Sequence, residues 1–139
     1  MHHQIIKNVT MANKREEELM KMKELVREDP SSTDVVDENI KLFIRDNIDR
    51  SKNFDIPRSS IVVLTVLESL IRKDENLELF CDKLLELPIE HVYVSEYCFP
   101  VLWMLLKKGM KIESDSNSVI ELSEDNWPAE YKVIRVSRT

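Results

Sequence analysis

The sequence predicts a mainly α fold: a compact bundle of four or five helices, closed by a small C-terminal antiparallel β element. That element has two or three strands in a winged-helix-like order. Three observations lead there. Between residues 11 and 109 apolar side chains recur at helical spacing in successive segments. After Gly109, the only glycine in the chain, the period shortens towards the alternation of strands. A length of 139 residues, 42% hydrophobic and 33% charged, suits one domain with its own core.

Residues 1–10 (MHHQIIKNVT) differ in character from the helix-forming stretch after them and read as a flexible N-terminal arm, leaving residues 11–139 as a single domain that turns β-rich from about 110. His3 could wrap Cu(II) or Ni(II) together with the amine and two amides, as any chain with His third can, so no metal role is assigned to it. The first helix is expected over 11–29, a stretch rich in good helix formers. Glu16, Glu17 and Glu18 lie towards its positive start, and Pro30 stops it. Leu19, Met22 and Val26 share one face, with Met20 and Leu25 alongside. So narrow a stripe either packs on the domain or pairs with a second copy, which makes 11–29 the candidate homodimer segment.

SSTD offers caps for a second helix over 34–50, with Val36, Ile40, Phe43 or Ile44, and Ile48 on its inner face. A third helix is expected over 60–73, capped by Ser59 or Ser60. Its residues Ile61, Val62, Val63, Leu64, Val66, Leu67, Leu70 and Ile71 are apolar nearly all round, as in a central buried helix. The β-branched run alone also fits a strand, and Leu67, Leu70 and Ile71 tip the balance to helix. A fourth helix, 75–87, carries Leu77, Phe80, Cys81, Leu84 and Leu85 inward and acids outward. Pro88 ends it, and EHVYVSEY crosses the surface as a turn or short helix. Pro100 opens a fifth helix with Val101, Leu102, Leu105 and Leu106 buried, and Gly109 supplies its left-handed C-cap. MKIES, SVIELS and EYKVIRVS are the candidate strands, with DSNS (115–118) as a turn and Trp127 as a pin onto the bundle.

Composition excludes several functions. A single glycine leaves no GxGxxG and no P-loop. No apolar run is long enough to span a bilayer, and the N-terminus lacks the pattern of a signal peptide, so an intracellular protein away from the membrane is expected. The net charge is −6, and from Asp74 to Glu96 seven acids face one base, Lys83. Such a surface repels a phosphate backbone and suits a partner protein with a basic face.

Cys81, His91 and Cys98 lack the paired spacing of zinc ligands, and nothing marks an orienting group or oxyanion hole for a Cys–His nucleophile. No metal, cofactor or catalytic residue is therefore assigned. The expected function is non-enzymatic: a protein-interaction or adaptor module, as a viral or host-interaction accessory factor would be. It would act through Tyr93, Tyr97, Phe99 and Trp103 together with Glu78, Asp82 and Glu86 on the fourth helix, the competing reading being that Phe99 and Trp103 finish the core beneath the loop. The alternatives are a small intracellular enzyme using Cys98 and His91, or a nucleic-acid regulator using Lys132, Arg135 and Arg138.

Two partial likenesses point in different directions. LPIEHVYVSEYCFPVLWMLLKKG resembles the helix-turn-helix part of the TFIIS N-terminal domain, without that family's Gly in the turn. The order LESLIRKDEN, VLWMLLKKGMKIE, SVIELSED is similar to a PUB domain, without its Lys-Tyr-Arg and Asn-Phe core signature. Each implies a peptide-docking module. They conflict, so neither lends a binding residue.

Overall fold

The computed structural model describes residues 2–31, 34–113, 119–123 and 130–138. The turn expected at DSNS, the Trp127 pin and the His3 side chain lie outside the described part of the chain. Helix α1 runs His2–Leu25 and α2 runs Val35–Ser51. Strand β1 is Ser60–Val63, followed by a single-turn α3 at Glu68–Ile71 and by α4 at Asp74–Leu85. Strand β2 is His91–Ser95, and after a 3-10 turn α5 spans Phe99–Lys107. Strands β3 (Lys111–Ile112), β4 (Val119–Ser123) and β5 (Glu130–Ser137) complete the chain.

The mainly α expectation holds at that level, but the β part is larger than expected. It is a mixed five-stranded sheet in the order β1-β2-β5-β3, with β4 also on β5. β1 and β2 are parallel, joined through α3 and α4. β5 runs antiparallel to β2, and β3 and β4 lie in succession along its outer edge. A parallel pair at one side separates this sheet from a winged-helix ending.

Two expected elements change identity for one physical reason. Residues 60–73 do not form a central helix, because Ile61 and Val63 point to the helical side of the sheet while Val62 and Leu64 point to the other. Residues 91–95 are likewise a strand rather than a surface turn, with Val92 and Val94 on one side and Tyr93 on the other. A strand covered on both faces reads as continuous apolar sequence, without the alternation that would reveal it. The main core lies between the sheet and the helices, and includes Phe43 tilted against Phe80 at 5.6 Å. The opposite face is covered by Phe54 and Ile56 from the loop after α2, packed on Val62, Tyr93, Leu122 and Val133.

The arm expected at 1–10 is helical from His2 onward, with no glycine or proline between there and Leu25 to stop propagation. Leu19, Met22 and Val26 are buried in the chain's own core, so the stripe proposed for a second copy is occupied within the molecule. Met20 and Leu25 remain exposed. Asp34 caps α2, accepting from the Val36 and Asp37 N–H groups at 3.1 and 3.2 Å, and the helix starts within one residue of expectation. Gly109 sits at φ 103°, and the N–H groups of Gly109 and Met110 return to the carbonyls of Leu106 and Leu105.

Candidate partner-binding surface

Helix α5 divides its residues sharply. Val101, Leu102, Met104 and Leu105 are buried, whereas Phe99, Trp103 and Lys107, spaced four apart, occupy the outer face. Phe99 is 63% exposed, Trp103 53% and Tyr97, in the turn before α5, 79%. The Lys107 ammonium stands 5.6 Å from the centre of the Trp103 ring, a cation–π contact that steadies the indole. Aromatic side chains of this kind bury roughly 150–250 Å² each, so half-exposed they leave a patch of roughly 300 Å² in all. Patches of that size on monomers often serve binding.

Trp103 also lines a groove of 540 Å³ between α4 and α5, with Asp74, Leu77, Glu78, Pro100, Met104, Lys107 and Lys108 around it. The groove is acidic on the α4 side and basic on the α5 side. Lys108 bridges it, 2.9 Å from Glu78 and 2.7 Å from Asp82. The carboxylates of Asp82 and then Glu78 raise the Lys108 pKa, keeping the ammonium charged. The acidic face expected on the fourth helix is thus partly neutralised where it meets α5. Asp74, Glu75 and Glu86 are exposed and have no ion pair among the described residues.

Tyr93 does not belong to this surface. It is 3% exposed on β2, on the far side of the sheet from α4 and α5, with the Arg135 guanidinium 5.9 Å from its ring centre. Arg135 also donates to the Tyr93 hydroxyl at 3.4 Å and pairs with Glu113. The other Glu113 oxygen lies 2.7 Å from His91 Nδ1, without the alignment of a hydrogen bond. These four side chains tie β2, β5 and the end of β3 together.

The residues of the two alternative functions are dispersed. Cys98 is buried in the core on the helical side, while His91 shares the opposite side of the sheet with Tyr93, so they do not form a pair. Burial raises the Cys98 pKa, and it pushes the Cys81 thiol up to about 12. Among the described residues no three His, Cys, Asp or Glu side chains gather as a metal site. Of the basic trio near the C-terminus, Arg138 donates to the carbonyls of Leu85, Leu87 and Ile89, completing the end of α4. Arg135 is engaged with Tyr93 and Glu113, which leaves Lys132 exposed and opposite Glu121. The basic trio does not form one open surface.

The sequence named Tyr97, Phe99, Trp103, Glu78 and Asp82, and the fold brings Trp103, Glu78 and, through Lys108, Asp82 to one groove. Pro100, Met104 and the two lysines of that groove were not named as binding residues. Their signal was helical spacing: Pro100, Met104 and Lys108 follow one another at four-residue steps, as do Trp103 and Lys107. The chain matches no protein-family profile, no curated protein and no solved structure.

Proposed function

We propose that this chain is a non-enzymatic protein-interaction module, which docks its partner on the aromatic face of α5 and the groove beside α4. The observation that carries this is the exposure of Tyr97, Phe99 and Trp103 together, beside a groove with charged walls. Aromatic anchors ringed by polar groups are the usual centre of a protein interface. The partner is a protein that seats an apolar side chain in the groove and sets a basic one near Asp74, Glu75 or Glu86. A cation from the partner would also compete with Lys108 for Glu78 and Asp82.

An intracellular setting accords with two free, buried thiols. No described helix is long and apolar enough to cross a membrane. The test is affinity capture with the wild-type chain beside a Tyr97→Ala/Phe99→Ala/Trp103→Ala variant shown to be folded, followed by calorimetry on the purified partner. Trp103→Ala alone should weaken that complex by about 2 kcal/mol, roughly thirtyfold in Kd. An unchanged Kd in the triple variant would refute the assignment.

A further inference from the structure

A second groove lies on another part of the molecule, between α1 and α2. It holds 270 Å³ and is lined by Met20, Lys23, Glu24, Arg27, Arg45 and Lys52. Four of the six are basic, in a chain whose net charge is −6. Part of that charge is used internally. Asp49 accepts from Lys23 at 2.8 and 2.9 Å and lies 3.3 Å from Lys52. Among the described residues Arg27 and Arg45 have no ion pair, and Glu24 is the one acid on the lining. The Arg45 Nε–H is shielded from solvent and has no hydrogen-bond acceptor among the described residues.

We propose that this groove binds the phosphate group of a small phosphomonoester. Arg27 and Arg45 line the groove, and guanidinium N–H donors suit phosphate oxygens, while Lys23 and Lys52 share Asp49 and so add one net positive charge. The excess of base over acid matches the near-double negative charge of a monoester at neutral pH. The volume is near the lower end for small-molecule sites and too small for a folded segment. The exposed thioether arm of Met20 offers an apolar wall for the organic part. At physiological salt, charges are screened beyond about 8 Å, so the groove's own cations outweigh the acids elsewhere.

The test is an NMR titration of the full chain with inorganic phosphate, phenyl phosphate and chloride at matched ionic strength, following backbone amides and arginine Nε–H signals. Both phosphates should give saturable shifts at Arg27 and Arg45, and chloride none. Arg45→Gln and Arg27→Gln should each raise the Kd at least tenfold. Arg27 is exposed, so Arg27→Gln keeps the test decisive should Arg45→Gln disturb packing. Shifts that do not saturate, or an unchanged Kd in the Arg27→Gln chain, would overturn the site. Saturation by inorganic phosphate with none by phenyl phosphate would overturn its assignment to a monoester.

Discussion

Ser51 and Ser60 are both buried serines, and the fold makes opposite demands on their hydroxyls. Ser51, at the end of α2, donates to the Asn47 carbonyl at 2.7 Å and accepts from the Val62 N–H at 3.1 Å. It thereby serves the outer edge of β1, which pairs on its other side with β2. Ser51→Ala strands the buried Val62 donor, a loss of about 1–3 kcal/mol. The better helix propensity of alanine returns at most about 0.5 kcal/mol, so a net loss of about 0.5–2.5 kcal/mol is expected.

The Ser60 hydroxyl is buried without a hydrogen-bond partner among the described residues. Ser60→Ala should therefore be neutral, or stabilising by up to about 1 kcal/mol. Urea unfolding of wild type and both variants, compared by midpoint and slope, reads the difference directly. If 60–73 were a helix capped by Ser60, the same substitution would cost about 1 kcal/mol. A clear loss in Ser60→Ala with none in Ser51→Ala would refute the assignment of 60–63 to a strand.

Other consequences can be checked in the same way. Arg138→Ala should cost about 1–2 kcal/mol in urea unfolding, because the carbonyls of Leu85, Leu87 and Ile89 lose their donor, and Arg138→Lys should recover only part of it. Cys81 and Cys98 should resist a thiol reagent at pH 8 in the folded protein and react together on unfolding, since burial keeps both protonated. The side-chain hydrogen bond from Lys83 holds the Asp37 pKa below its ordinary 3.8, as Lys23 does for Asp49. Their contribution is present in full above that value and is lost as the pH falls through the lower folded one. Melting temperature should drop in acid, and less steeply in Asp37→Asn. Phe99→Ala and Trp103→Ala, at exposed positions, should each shift stability by no more than about 0.5 kcal/mol.

Local chemistry made much of this fold legible. Asp34 as a cap, Pro100 in the first turn of α5 and Gly109 at its end each act within a few residues of their own position. Their roles follow from backbone geometry alone. β1 and β2 were hidden because each is buried on both faces, and the second face is covered by Phe54 and Ile56 from a distant loop. Periodicity within Ser60–Val63 carries no trace of that loop. Tyr93 was misplaced with the exposed aromatics for the same reason: once 91–95 is a strand, it points away from α5. The clustering of Tyr97, Phe99 and Trp103 was legible, but whether Phe99 and Trp103 face water or finish the core was not, because α5 is apolar on most sides in sequence and only its packing shows which side is covered. The α1–α2 groove was not, since Arg27 and Arg45 meet only through helix packing.

Site-specific photo-crosslinking in native extract tests the proposed docking face most directly. Benzoylphenylalanine would be placed at positions 99 and 103, and at position 42, where Leu42 is exposed on α2 away from the α4–α5 groove. The prediction is one discrete protein adduct from 99 and 103 and none from 42. No adduct at 99 and 103, or the same adducts from all three positions, would contradict the assignment of α5 as a docking surface.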